Sequence, residues 1–177
     1  YVVLISVAII ERIAYCAITG FWTRGHDTSE HLEYILHFVE AWALPSLEAA
    51  NGGAYFHPPF YYFIASWFYE LASFLSPGST AFANGFLQYL SILFSCGFVI
   101  YAAKFMLLAF RVLEDKSGPN CIYFPVGRGY VRINLRAMCA FWGTALIVFW
   151  PSVVMHSARI GNDPLIYFLM AAALFHT

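Results

Sequence analysis

Long apolar runs separated by short polar stretches dominate this sequence of 177 residues. Residues 1–22, 82–111 and 137–158 each reach about the 20 residues that a helix needs to cross a bilayer, and residues 164–177 begin a further run. We therefore predict an all-α polytopic membrane protein built as a single transmembrane module. Both ends of the chain lie within apolar runs, so we expect it to be part of a longer protein.

The most polar part of the chain, residues 23–80, follows the first apolar run. Apolar residues recur within it at helical spacing, with acidic residues and a histidine on the other side, which predicts an amphipathic helix in the membrane interface. We expect Pro45 to end this helix, because proline cannot continue its hydrogen bonding. The apolar stripe consists of Leu32, Leu36, Val39 and Ala43, and the polar face of Glu33, His37 and Glu40.

Basic residues between the apolar runs predict the orientation. Residues 112–136 and the adjoining Arg111 together hold five Lys or Arg side chains, and short loops rich in these residues stay in the cytoplasm. Residues 23–80 and the turn at 159–163 then lie on the outer side. This parity requires the short aromatic piece at 59–76 not to cross the bilayer, so we predict a juxtamembrane or re-entrant helix there.

The composition agrees with a chain surrounded by lipid. Hydrophobic residues make up 61% of the chain, aromatic residues 20% and charged residues 11%, whereas soluble domains are about half apolar and about a quarter charged. The net charge of -1 gives no reason to expect a nucleic-acid partner. The four cysteines are scattered without the spacing of a zinc or redox motif, and we expect them to be inert.

The outer loop carries three residues that could take part in chemistry, Asp27, Glu30 and His31. Asp27 could serve only as the N-cap of the predicted helix, with Glu30 as the third helical residue of a capping box. Alternatively, Asp27 and His31 lie four residues apart on one helix face and could bind a divalent metal ion. No zinc-protease motif is present, and no other cofactor is predicted.

A second group, Arg159, Asn162 and Asp163, follows the third long run. Asp163 stands before Pro164 and could simply be the N-cap of the next helix. His57 precedes two prolines and could be an aromatic residue of the membrane interface. These structural roles do not explain why acids, histidines and an arginine collect on one side of the predicted membrane.

Three segments carry a family resemblance. They read HDTSEHLEY at 26–34, YFHPPFYY at 55–62 and SARIGNDPL at 157–165. In order and spacing they resemble the N-terminal module of GT-C glycosyltransferases, polytopic enzymes that take a sugar from a polyprenyl-phosphate lipid. Protein O-mannosyltransferases and the aminoarabinose transferases of lipid A belong to this group. The resemblance implies juxtamembrane helices in the first external loop and a second acidic motif after the third helix.

For an enzyme of this kind, the resemblance implies sugar transfer with a carboxylate as general base. Asp27 is the candidate base, and Arg159 and His57 are candidates for holding the departing lipid phosphate. The remaining candidates are Glu30 and Asp163 as supporting acids or metal ligands, and His31 and Asn162 as substrate contacts.

The expected partners are the lipid bilayer and a polyprenyl-phosphate sugar donor, with a missing C-terminal region or further subunits completing the cavity. The expected location is a bacterial inner membrane or an endomembrane, with the active side extracytoplasmic. Two alternatives stay open. A non-catalytic subunit of a larger complex would keep the helices without needing an acidic outer cavity. A transporter would place coupling residues near the bilayer midplane, where only Glu11 and Arg12 fall.

Overall fold

The fold is mostly helical, as predicted. A computed structural model describes residues 1–21, 25, 27–46, 54–117, 121–126 and 129–177. Within them the chain forms seven helices and a two-stranded antiparallel sheet. The elements are α1 (Val2–Ile18), α2 (Thr28–Ala41), α3 (Phe60–Leu75), α4 (Thr80–Ser117), β1 (Cys121–Val126), β2 (Gly129–Asn134), α5 (Leu135–Val148), α6 (Pro151–His156) and α7 (Asp163–His176).

Helix α4 is the axis on which α1, α3, α5 and α7 pack, while α2 packs on α3. Its 38 residues correspond to about 57 Å at the rise of an α-helix. Within the described part of the chain, Thr80–Arg111 is the one helical segment long and apolar enough to cross a membrane, while Leu135–Val148 and Asp163–His176 are apolar but shorter. The polytopic membrane arrangement therefore stays a prediction.

Helix α3 packs antiparallel against the first part of α4. The hydroxyl of Tyr61, at the start of α3, lies 3.4 Å from Ser91 Oγ. Further along α3, the ring of Phe68 lies 5.7 Å from that of Phe86. Later residues of α3 thus meet earlier residues of α4, and the two helices form a hairpin.

Helix α7 packs parallel to the later part of α4. The ring of Phe168 lies 6.2 Å from that of Phe94, and the ring of Phe175 lies 5.8 Å from that of Tyr101. Helix α3 therefore packs along the first part of α4, and α7 packs along its later part. Both helices begin near Ser91 and Phe94 of α4.

Arg12 ties α1 to α4 and α5. Its side chain is fully buried, at 0% exposure, and its guanidinium donates to Ser95 Oγ at 2.7 Å and to the carbonyls of Ala8 and Val148 at 2.8 Å each. Neutral acceptors on three helices thus satisfy a buried charge, as burial requires. The apolar cluster of these helices consists of Ala8, Phe98, Val99, Ala102, Val148 and Ala171.

The connection at residues 112–136, predicted as a loop, contains regular structure. Helix α4 continues to Ser117, and β1 then pairs with β2 so that Cys121 lies opposite Asn134. The strands are rich in aromatic and β-branched residues, which favour extended backbone. The Asn134 side chain then caps α5 by accepting two backbone N–H groups.

The apolar run at 137–158 forms two helices where one was predicted. Helix α5 ends at Val148, and α6 begins at Pro151. Proline lacks the N–H that a continuous helix requires and disfavours helical backbone in the residue before it. Trp150 accordingly has an extended conformation, with φ -60° and ψ 125°. The break sets the direction of α6 and of the turn that follows His156.

Helix α2 is amphipathic, as predicted, but it buries a different face. The ring of Tyr34 stacks on that of Tyr62 at 4.1 Å, so tyrosines of α3 select the face that packs. The helix also ends earlier than Pro45, at Ala41, where Trp42 takes a left-handed conformation with φ 49°. The buried positions are Thr28, Tyr34, Ile35 and Phe38, while Leu32, Leu36 and Val39 are half-buried and Ala43 is exposed.

Candidate functional site

His31 lies between α2 and α3. Its Nδ1 is 2.7 Å from the hydroxyl of Tyr62, and the two rings stack with centroids 5.8 Å apart. The ring of His57 lies 5.3 Å from that of His31. His57 comes from the turn before α3, and Pro59 at the N-cap position of α3 fixes where that turn ends. Two histidines from separate segments are thus neighbours.

The turn between α6 and α7 closes on the same imidazole. The backbone N–H of Gly161 donates to the hydroxyl of Tyr61 at 3.2 Å. A Cβ atom added to Gly161 would lie 3.4 Å from His31 Nε2, so the backbone of the turn is in contact with the ring. The side chain of Gln88 on α4 holds the turn from the other side by donating to the carbonyl of Ala158 at 2.9 Å.

Asp163 accepts a hydrogen bond from His156 at the start of α7. Its Oδ2 lies 2.9 Å from His156 Nδ1, and the hydroxyl of Tyr167 lies 3.4 Å from the same nitrogen. The hydrogen bond from His156 holds the pKa of Asp163 below its usual value, although partial burial opposes the shift. Asp163 is therefore ionised at neutral pH, at a helix N-terminus where the helix dipole favours a negative charge.

The electrostatic surroundings of His31 join these segments. Burial lowers the pKa of His31 to about 4, and the next contribution in the same direction comes from His57. Asp163 and Asp27 oppose this shift, and Arg159 adds to it. We call His31 and the four residues whose charges shift its pKa the His31 cluster: Asp27, His31, His57, Arg159 and Asp163. Candidates from three segments thus act electrostatically on one imidazole, and His57 also contacts it, while their roles stay predictions.

Asp27 does not cap α2 in the way that the sequence suggests. It occupies the N-cap position, but its side chain forms no capping hydrogen bond, so the capping-box interpretation is wrong. Its backbone is left-handed, with φ 58° and ψ 14°, a conformation that Asp and Asn tolerate better than most residues. The capping role that competed with a chemical role is therefore not available to this carboxylate.

Glu30 and Asn162 lie outside the His31 cluster. Glu30 is exposed on the first turn of α2 and forms no hydrogen bond or ion pair with the residues that the structure describes. Asn162 is buried and takes the N-cap position of α7 that was predicted for Asp163, although its side chain forms no capping bond. Asp163 is consequently the first helical residue, one position further on than expected.

A divalent metal at Asp27 and His31 stays a prediction. In the described ranges, no three His, Cys, Asp or Glu side chains are grouped as metal ligands would be. His31 Nδ1 contacts Tyr62, so Nε2 is the nitrogen that would bind a metal.

Sequence reasoning missed His156, Tyr62 and Tyr167 as parts of the site. Tyr167 stands one helical turn after Asp163, a spacing that places both on one face of α7. His156 and Asp163 lie at the two ends of a short turn, where the sequence alone gives no distance between them. Tyr62 is one of several aromatic residues in its segment, and only the packing of α3 on α2 singles it out.

Comparison with models of protein families, with curated proteins and with solved structures finds no match to this chain.

Proposed function

We propose that this chain is a GT-C type glycosyltransferase module that moves a sugar from a polyprenyl-phosphate donor to an acceptor at the extracytoplasmic face of a membrane. The observation that carries the proposal is the His31 cluster: His57 and the turn at Gly161 contact the His31 ring, and two carboxylates and a guanidinium act on its charge. Glycosyl transfer needs this combination, because the acceptor hydroxyl must lose a proton and the departing phosphate must be stabilised. The apolar helix Thr80–Arg111 supplies a membrane-length element beside it.

Asp27 is the proposed general base. The acceptor oxygen attacks the anomeric carbon and gives its proton to the Asp27 carboxylate, while the bond from that carbon to the phosphate oxygen breaks and its electron pair leaves with the lipid phosphate. Asp27 is exposed at the start of α2 and is not used as a helix cap, which suits a group that must meet an incoming acceptor.

Arg159 and His57 are the proposed phosphate contacts. The ring of His57 lies 5.3 Å from that of His31, and Arg159 acts on the charge of His31. A guanidinium can bind two phosphate oxygens at once. His31 stays neutral at pH 7 because burial lowers its pKa to about 4, so it offers hydrogen bonding in place of charge. The hydrogen bond from His156 keeps the Asp163 carboxylate ionised nearby.

Replacing Asp27 by asparagine tests the assignment of the base. Asparagine keeps the size and tolerates the left-handed backbone, and no capping bond is lost because Asp27 makes none. We expect normal membrane insertion, with sugar transfer from a polyprenyl-phosphate donor reduced about 10²- to 10⁴-fold. The measurement is single-turnover transfer by the full-length protein in nanodiscs.

Glu40→Gln is the matched control, because Glu40 is an exposed acid on the same helix outside the His31 cluster. It should transfer at the normal rate. Full activity of Asp27→Asn would remove Asp27 as the base. A full-length protein that binds no polyprenyl-phosphate sugar would refute the transferase proposal and favour a non-catalytic subunit.

A further inference from the structure

Helix α4 carries a stripe of uncharged polar side chains along one face of an otherwise apolar segment. The lower members of the stripe are used in packing: Ser95 with Arg12, Ser91 with Tyr61 and Gln88 with Ala158. The upper members, Thr80 and Asn84, form no side-chain hydrogen bond with other described residues. The whole stripe is Thr80, Asn84, Gln88, Ser91 and Ser95, which recur every third or fourth residue.

The upper members line a pocket of about 260 Å³. A pocket of this size holds several water molecules and gives room for a pyranose ring. We call it the amide pocket, and its lining consists of Phe21, Thr80, Ala81, Asn84, Gly85 and Gln88.

The lining of the amide pocket matches an uncharged sugar. The Asn84 amide and the Thr80 hydroxyl can each donate and accept hydrogen bonds, as sugar hydroxyls do. Phe21 adds an apolar aromatic surface suited to the C–H face of a pyranose ring. No charged side chain of the described residues lines the pocket, so these residues offer no counter-charge to an ammonium or carboxylate group.

The pocket borders the segments that carry the proposed base and a proposed phosphate contact. A Cβ atom added to Gly25 would lie 3.5 Å from the carbonyl oxygen of Phe21, which places the pocket wall beside Gly25, two residues before Asp27. On the opposite side, Gln88 holds the carbonyl of Ala158, the residue before Arg159.

We infer that the amide pocket binds an uncharged pyranose ring, and that this ring is the sugar of the substrate. The second part rests on the function proposed above, whereas the binding of a neutral glycoside does not. The inference narrows the substrate to sugars without an amino or carboxyl group on the ring that enters the pocket.

Gly85 offers a matched pair of variants for the test. A Cβ atom added at Gly85 meets no heavy atom within 4 Å, so larger side chains enter open space. Leucine and alanine both favour a helix more than glycine does, so both variants should fold. Gly85→Leu fills the pocket, while Gly85→Ala leaves most of it open.

The probes are methyl glucoside, the cationic methyl glucosaminide and the anionic methyl glucuronide, titrated by saturation-transfer NMR into the full-length protein in nanodiscs. We expect binding of the neutral glycoside alone. Gly85→Leu should weaken this binding about tenfold or more because leucine fills the pocket. Asn84→Leu should weaken it by a similar factor, the loss expected from about two hydrogen bonds. Gly85→Ala should keep it within about threefold, and so should Tyr89→Leu, since Tyr89 is exposed on α4 outside the pocket.

Two results would overturn the inference: unchanged binding in Gly85→Leu, or binding of a charged glycoside as tight as that of the neutral one. The inference would also be overturned if none of the three glycosides bound to the unaltered protein. Transfer assays separate this inference from the proposed function. Binding that is lost in Gly85→Leu, together with no sugar transfer by the unaltered protein, would support the pocket and refute the transferase proposal. Normal transfer by a Gly85→Leu protein that no longer binds the glycoside would support the transferase and refute the claim that the pocket holds the sugar of the substrate.

Discussion

Replacing His31 by glutamine should make the protein less sensitive to acid. In the folded protein the pKa of His31 is lowered to about 4, mainly by burial, whereas the ordinary value is 6.5. Between these values the unfolded chain binds a proton that the folded state does not. The free energy of unfolding therefore falls as the pH is lowered from 6.5 toward 4, and is flat with respect to this group above 6.5. Glutamine can still accept a hydrogen bond from Tyr62 but does not titrate.

The size of the effect follows from the shift. A difference of about 2.5 pH units corresponds to about 3.4 kcal/mol at most. Because the imidazole is only half-buried, solvent screening reduces this to about 1–2 kcal/mol. For a protein of this size, that is a change in Tm of about 2–8 °C. The pKa of Asp163 is also lowered, but its contribution is lost only below its ordinary value of 3.8, outside the window used here.

The assay is thermal unfolding of the full-length protein in detergent at several pH values between 7.5 and 4.5. The unaltered protein should lose more stability across this range than His31→Gln does. His176→Gln is the control, since His176 is an exposed histidine at the end of α7, outside the His31 cluster. Equal pH dependence of the unaltered protein and His31→Gln would refute the reasoning, as would an NMR titration that places the pKa of His31 near 6.5.

Two further predictions concern the donor and the membrane. Arg159→Ala should raise the KM for a polyprenyl-phosphate donor about 10- to 100-fold with a smaller change in kcat, because it removes a charge-assisted contact to the phosphate; an unchanged KM would exclude Arg159 from this role. A cysteine at Ser117, in a background without other cysteines, should react with an impermeant thiol reagent only after the cells are opened, because the adjoining basic residues predict a cytoplasmic location. Labelling of this cysteine in intact cells would contradict the predicted orientation and place residues 112–136 on the outer side.

The sequence predicted the helices well where apolar residues run without interruption. The long run at 82–111 lies within α4, and the polar stretch before it contains the amphipathic helix α2. The face of α2 that packs on the protein was not predicted, because a hydrophobic stripe counts Leu36 and Val39 but cannot register aromatic stacking. Tyr34 and Tyr62 lie in separate segments, and their contact exists only in the folded protein.

The sequence indicates the break between α5 and α6 more clearly than it indicates the β-hairpin. The division of α5 from α6 follows from Pro151, which marks a helix boundary in any sequence. The β-hairpin was harder to foresee because it lies within a basic connection between apolar runs, where a loop is the simplest expectation. Its strand residues, such as Ile122 and Tyr123, are too few to stand out against a chain rich in aromatic residues.

The candidate site was predictable as a set of residues but not as a geometry. Asp27, Arg159 and Asp163 stood out because charged groups are few and costly in such a chain. Nothing in their spacing showed that His156 pairs with Asp163, since that contact depends on how the turn between α6 and α7 is held. Gln88 and Tyr61 hold it, and both belong to stretches that read simply as apolar helix.

The register of α4 joins the proposed chemistry to the predicted membrane. Ser91, which meets α3 beside the His31 cluster, stands twenty residues before Arg111, a distance of about 30 Å along a helix. The hydrocarbon core of a bilayer is about as thick. With Arg111 at the inner boundary, the cluster would lie at the outer one, where a lipid-linked phosphate is found. Helix α3 runs beside α4 from Ser91 back toward Thr80, away from that slab. The prediction that residues 59–76 do not cross the bilayer and the proposal of an outer-face active site therefore depend on the same packing of α3 against α4.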